Sequence, residues 1–367
     1  MFIMVATILS SSFALLPLPA YAASIGCGST ITTSTTLKSN IGPCSGDGLY
    51  LGASGITLNC AGHTISSNTG SGTGISLNGI SRVTVKNCLV TGFEDGFVVS
   101  ASSSNILAGN TASGNVAHGF DVEGSSGNTF TKNTASSNGY QGFYLGSSSG
   151  NKFTSNKATG DNFDGFRLDF SNSNTFTKNT ASSNGYQGFY LGNCSGNTLT
   201  SNTANANAQY GYFLVGSSGN KLTSNTASGN IYEGFLLYSA SDNNKLTSNT
   251  GSGSGQYGIV LYGSSGNKLT SNTANGNKID GFVVYSNSGN NKLTKNTANG
   301  NDIGFYVELC AANKLTSNTA DGNIEYGYFD VTTGTGTKGT ANTYSLDECS
   351  GNLVGGATPT GLCTPQP

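Results

Sequence analysis

Apolar residues in this chain recur at a fixed beat. Between Asn220 and Tyr238 the sequence runs NKLTSNTASGNIYEGFLLY, with Leu222, Ala227, Phe235 and Leu237 at its apolar positions, and the same places are apolar in copy after copy. Within each copy the apolar residues fall in short groups that alternate with polar ones, the period-two pattern of strands with one face inward. Ser-Asn, Ser-Gly-Asn and Gly separate these groups and supply the backbone conformations that tight corners need. The frame Asn-x-Leu/Phe-Thr-Ser/Lys-Asn-Thr-Ala begins at Asn105, Asn128, Asn151, Asn174, Asn197, Asn220, Asn244, Asn267, Asn291 and Asn313, a step of 22 to 24 residues. Self-similarity at this period predicts a solenoid in which every coil packs on its neighbours.

One coil buries too few apolar side chains to offset the ordering of its own backbone, so no coil folds alone. Stacking resolves this, because each strand then pairs with the coils above and below and the interior becomes one column. Asn suits the corners, since stacked carboxamides donate to one another along the axis. The expected fold is all-β: a parallel β-helix of about 12 coils with ~23-residue repeats and Asn ladders. It is expected over residues 51–331, behind an N-terminal cap at 23–50 and ahead of a C-terminal cap or tail at 332–367.

Charged residues are only 9 % of the chain, but 18 Phe and 17 Tyr held in register exclude a disordered polar tract. A net charge of −2, with no run of Lys or Arg, gives no electrostatic footprint for nucleic acid or an anionic membrane. Residues 1–22 form an apolar leader ending Ala20-Tyr21-Ala22, read as a signal peptide cleaved near Ala22. With no second hydrophobic span, no membrane insertion is expected after cleavage. The protein is expected to be secreted, periplasmic or at the cell surface, where eight cysteines fit an oxidising compartment. Cys27 and Cys44 flank the N-terminal segment, Cys60 and Cys88 take matching places in successive coils, and Cys349 and Cys363 bracket the tail. These three pairs are the expected disulfides. Cys194 and Cys310 occupy equivalent places five coils apart, beyond disulfide reach.

The frame Asn-x-Leu-Thr-Ser-Asn-Thr-Ala followed by Gly-Phe-x-Leu resembles the right-handed parallel β-helix repeat of NosD-like periplasmic proteins and of carbohydrate-binding and sugar-hydrolase (CASH) domains. The early stretches Ile56-Thr57-Leu58-Asn59-Cys60 and Val83-Thr84-Val85-Lys86-Asn87-Cys88 resemble the first coils of secreted members. The resemblance covers about 27–331 and is specific for fold, not for activity. The copper delivery that it suggests does not carry over, because the chain beyond the leader has no Met, two His and mostly paired Cys. No metal and no cofactor are expected.

Outward positions of the Gly-Phe-x-Leu-x strand carry the candidate chemistry. The first reads Val98, Asp121, Tyr144, Arg167, Tyr190, Phe213, Leu236, Val260, Val283, Tyr306; the second reads Ser100, Glu123, Gly146, Asp169, Gly192, Val215, Tyr238, Tyr262, Tyr285, Glu308. Tyr144, Tyr190, Tyr238, Tyr262, Tyr285 and Tyr306 are candidate glycan platforms, their rings flat and their hydroxyls free for hydrogen bonds. Asp161, Asp164, Arg167 and Asp169 cluster in one coil, with Asp121 two coils away. In polysaccharide lyases of the resembling fold an Arg works beside carboxylates that hold calcium, and in its glycosidases paired Asp residues act as acid and base. Arg167, Asp169, Asp164 and Asp121 are therefore the candidate catalytic set, with calcium implied only for a lyase. A further row precedes the corner glycines: Asp95, Asp164, Glu233 and Asp280, interrupted by His118, Gln141, Gln187, Tyr210 and Tyr257. Against catalysis stands tandem copying, since residues 128–146 repeat identically at 174–192. The expected function is a secreted non-enzymatic rod, structural, adhesive or glycan-binding, with a polysaccharide lyase or glycoside hydrolase as the alternative. A polysaccharide or cell-surface glycan is the expected partner; self-association is left open.

Overall fold

The structure is a computed structural model that describes residues 25–364; the expected leader and its cleavage point lie outside the described residues. Successive coils contribute strands to parallel sheets of 15, 14 and 10 strands, of which the first two run the length of the described solenoid. Pairing is strict. In the first sheet Phe143–Gly146 lies on Phe166–Asp169, with Phe143 opposite Phe166 and Tyr144 opposite Arg167. In the second, Lys152–Thr154 lies on Thr175–Thr177, and in the third Thr134–Ser136 lies on Lys157–Thr159. The third sheet thins beyond Ser252 to single bridges from Thr250 through Thr273, Thr297, Thr319 and Glu348 to Thr364.

The coils run past both expected boundaries. Ser29–Ile31 pairs with Leu49–Leu51, and Thr343–Ser345 and Gly355–Thr358 extend the second and first sheets at the other end. Strand pairing therefore continues on both sides of residues 51–331, with a stretch around the 3-10 turn Thr337–Gly339 inserted before the last strands.

Three inward columns fill the interior. Phe97, Phe120, Phe143, Phe166, Phe189, Tyr212 and Phe235 stack nearly parallel, with centroids 4.6–4.9 Å apart. Phe130, Phe153 and Phe176 stack likewise from the second sheet and meet the first column edge-on. The third column is Ala, for a steric reason: where the chain enters the first sheet at Gly119, an added Cβ would stand 2.9 Å from Ala135 Cβ and 2.7 Å from Gly142 O. Small residues on both sides let the coil close.

Asn ladders hold the corners. Asn128 donates its backbone N–H and its Nδ2 to Asn151 Oδ1, at 2.9 and 3.1 Å, and Nδ2 also to Ser102 O at 3.0 Å. Buried backbone groups at the turn are thereby satisfied once per coil. The second ladder follows a residue in the left-handed region, such as Lys132 (φ 54°), Ser155 (55°) and Lys178 (56°). In the third ladder Asp161 stands between Asn138 and Asn184: its Oδ1 accepts from Asn138 N–H and Nδ2, while Oδ2 is buried without a partner. Asp161 is therefore an interior ladder residue, only 1 % exposed, and not a member of a surface charge cluster as sequence proximity suggested. Burial pushes its carboxyl up to about 6.

The three expected disulfides are formed: Cys27–Cys44, Cys60–Cys88 and Cys349–Cys363. Cys194 and Cys310 are free and buried. Cys194 takes a place in a column of inward serines between Ser171 and Ser217, donating its thiol to Gly192 O at 3.2 Å and accepting from Ser171 N–H.

Candidate functional site

Register brings the outward residues of the first sheet side by side as the sequence pattern implied. Their environments differ sharply between its early and late coils.

In the early coils Arg167 and His118 engage neighbouring carboxylates, while one oxygen of Asp121 is buried without a partner. Arg167 donates from Nε to Asp169 Oδ2 at 2.7 Å and from Nη1 to Asp164 Oδ2 at 3.4 Å, and its guanidinium lies 4.2 Å over the ring of Tyr190. Asp164 is also fixed by its other oxygen, which accepts Gln187 N–H at 3.0 Å. Asp95 does the same for His118, whose Nδ1 lies 2.9 Å from the same carboxylate oxygen. These carboxylates of the row before the corner glycines thus terminate backbone N–H groups of the next coil. Asp121 lies two coils from Arg167, with Tyr144 between them. Burial pushes its carboxyl up to about 6, with His118 opposing and Asp95 and Glu123 adding to the shift. An Arg held by two carboxylates and a ring is positively charged and occupied, a poor base for proton abstraction.

The late coils make a groove. Leu236, Val260 and Val283 form an apolar strip flanked by Tyr238, Tyr262 and Tyr285 on one side and by Glu233, Tyr257 and Asp280 on the other, enclosing about 600 Å³. The C-terminal end is bounded by Asp302, Tyr306 and Glu308, where the Tyr306 hydroxyl donates to the Glu308 carboxylate. Asp280 keeps the corner role, accepting Ile303 N–H at 3.2 Å. Glu233 does not: it is 8 % exposed and its Oε2 has no partner. Burial pushes both carboxyls up, each to about 7. Groups so placed change charge near neutral pH, and each can accept or give a proton.

The tyrosines behave differently from free platforms. Tyr238 and Tyr262 stack on each other at 5.1 Å and 27°, and Tyr262 meets Tyr285 at 5.4 Å and 51°. Rings that pack on one another along the axis cover part of each other's faces. Tyr144 is covered by His118 at 5.2 Å, Tyr190 by Arg167, and Tyr306 by Phe329 at 5.7 Å. Of the six candidates, the structure brings Tyr238, Tyr262, Tyr285 and Tyr306 together around one hollow and leaves Tyr144 and Tyr190 in the charged coils. Glu233 and Asp280 belong to the row noted in the sequence, but that row gave no sign that it forms the opposite wall. A hollow of similar size lies among the turns 287–290, 309–312 and 331–333, and shares Glu308 with the groove.

A parallel β-helix with an aromatic groove on one outer sheet is the class that these features define. The chain belongs to the family described as periplasmic copper-binding protein (NosD), whose model matches residues 22–180 and 236–350. The model of the right handed beta helix region matches residues 139–251. No curated protein matches the chain. Among solved structures, the A-module of the Azotobacter vinelandii mannuronan C-5 epimerase AlgE6 is similar over 90 % of this chain and 85 % of its own, at 15 % identity and TM-score 0.51. The periplasmic alginate epimerase AlgG matches over 75 % and 73 % at 15 % identity and TM-score 0.41. The catalytic domain of a GH87 alpha-1,3-glucanase matches over 93 % and 63 % at 16 % identity and TM-score 0.30. At such identities the likeness is one of fold.

The family's copper does not fit the residues described. Both methionines, Met1 and Met4, lie outside the described residues. Among the described residues no three of His, Cys, Asp and Glu gather as a metal-binding group. Burial pushes the Cys194 and Cys310 thiols up to about 11 and about 12, away from the thiolate that a metal needs. The periplasmic part of the family's description accords with the three disulfides, and no helix among the described residues is long and apolar enough to cross a membrane.

Proposed function

We propose that the protein is a secreted rod of the periplasm or cell surface that binds a glycan in the groove of its late coils. The observation that carries this reading is the groove itself: an apolar strip of the width of one strand, lined on its sides by tyrosines and by Asp and Glu residues. Sugars combine apolar C–H faces with rings of hydroxyls, which suits an apolar floor bordered by hydrogen-bonding groups. The lining residues include no Lys or Arg and four carboxylates, Glu233, Asp280, Asp302 and Glu308, so the glycan that fits is neutral. Changing Tyr238, Tyr262 and Tyr285 together to Ala is expected to abolish retention on an immobilised neutral polysaccharide while melting stays cooperative. Unchanged retention excludes the groove.

A second reading is favoured by Glu233, whose carboxyl has a buried oxygen without a partner. Glu233 and Asp280 stand two coils apart, roughly 10 Å from backbone to backbone along the sheet, so that a sugar lying along the groove would meet both carboxyls, as an inverting acid and base must flank it. Under this reading the protonated carboxyl gives its proton to the leaving oxygen while the ionised one activates water. New reducing ends released from the bound glycan, and lost in Glu233→Gln, are its expected signature; binding without new ends excludes it.

A further inference from the structure

The same late coils carry a different surface on the second sheet. Its first outward position is lysine in five consecutive coils: Lys221 lies opposite Lys245, Lys245 opposite Lys268, Lys268 opposite Lys292 and Lys292 opposite Lys314. All five are exposed. No linear run of basic residues exists in the chain, yet stacking builds one across coils, with ammonium groups rising at ~4.8 Å per step over roughly 19 Å.

The fold does not require this row. Thr129, Thr175 and Thr198 take the same position in earlier coils with the same register. Like charges directly opposite on a sheet face are destabilising, so five in succession carry a cost that threonine avoids. Nor are they offset within the molecule: among the described residues no ion pair involves a lysine. The nearest turn carboxylate in sequence, Asp242, accepts Ser265 N–H at 2.6 Å. Beside the lysines runs a parallel row of half-buried hydroxyls, Thr223, Thr247, Thr270, Thr294 and Thr316.

We propose that Lys221, Lys245, Lys268, Lys292 and Lys314 form a binding track for a linear acidic polysaccharide whose sugars each carry a carboxylate. A straight line of point charges at the pitch of one coil suits an extended chain with one carboxylate per ring; in the threonine row Thr247 Oγ1 is buried and Thr316 Oγ1 pairs with Ser345, which leaves Thr223, Thr270 and Thr294 as hydroxyls for the sugar. Nucleic acid fits less well. A strand of duplex DNA rises ~3.4 Å per phosphate and winds away from a straight track, and the forked Arg geometry that favours phosphate is missing from the row. The track goes beyond the groove reading, because it lies on another sheet and takes a ligand of opposite preference.

The test measures binding of the purified protein to polygalacturonate, to the same polymer with its carboxyls reduced, and to single-stranded DNA. Variants are the five-fold Lys→Thr, the five-fold Lys→Arg, and Tyr238, Tyr262 and Tyr285 changed to Ala. The expected result is salt-sensitive binding to polygalacturonate, weakened at least about tenfold by Lys→Thr and kept by Lys→Arg and by the tyrosine variant. The reduced polymer is expected not to bind. Threonine already occupies the position in other coils, and a melting curve checks that the variant folds. Failure of wild type to bind, undiminished binding by Lys→Thr, equal binding of the reduced polymer, tighter binding of DNA, or loss in the tyrosine variant each overturns the proposal.

Discussion

The early and late coils of the first sheet are built on one frame, yet they use their polar residues in opposite ways. Around Arg167 the charges are dense and mutually satisfied: two carboxylates hold one guanidinium, a tyrosine ring covers it, and Asp164 closes a backbone N–H. Around Glu233 no guanidinium or ammonium joins the four carboxylates that line the groove, and one oxygen of Glu233 is buried without a partner. Density of charge along the sequence therefore marks an ion-pair network around Arg167, whereas an unpaired buried carboxyl in the lining of a groove is the kind of group on which the proposed site rests.

Substitutions on either side sharpen that contrast. The largest effect is expected from Arg167→Ala, which strands Asp164, whose side chain is 2 % exposed. A loss of about 3 kcal/mol is expected, the low end for a broken buried pair because Arg167 itself is 32 % exposed. Chemical denaturation measures it, and retention on neutral glycan should not change. If retention fell while stability held, the early coils would be the site.

Next comes Asp161→Asn, which completes the third ladder. Folding raises this carboxyl from 3.8 to about 6, so its favourable contribution is full below the unfolded value and is lost as pH rises through about 6. At pH 8 the variant should gain about 2 kcal/mol over wild type, and the gain should vanish near pH 3.5. Asp121, Asp164, Glu233, Asp280 and Asp347 shift in the same direction. Wild type should accordingly melt higher at pH 5 than at pH 8. A melting temperature that falls on acidification would contradict the buried, raised carboxyls. The smallest effect is expected from Glu233→Gln, a gain of about 1 kcal/mol at pH 8 from relief of one unpartnered carboxylate, checked by the same melts.

What the sequence made legible was whatever repeats or occupies an end. The coil period, the inward Phe and Leu columns, the Asn ladders and the three disulfides all follow from single positions read at a step of about 23. The site was less legible because it needs two rows at once. Glu233 and Asp280 precede corner glycines and Tyr238, Tyr262 and Tyr285 end strands; only the folded sheet shows that Leu236, Val260 and Val283 lie between them as a floor. Asp161 shows the opposite failure. Three residues from Asp164, it looked like part of a surface cluster, although its spacing of 23 from both Asn138 and Asn184 placed it in the ladder. The row Lys221 to Lys314 is invisible to a linear reading for the opposite reason to Asp161, since its charges line up across coils and not along the chain. The tyrosine spacing was read correctly, but spacing alone does not tell whether rings lie flat or stack on one another.

The most direct measurement is retention of wild type and of the Tyr238, Tyr262 and Tyr285 to Ala variant on a panel of immobilised neutral polysaccharides, with new chain ends scored alongside. Retention of wild type on at least one glycan, lost in the variant while its melting remains cooperative, is the predicted result. Equal retention of both proteins, or none by wild type on any glycan, would contradict a glycan-binding groove on the late coils.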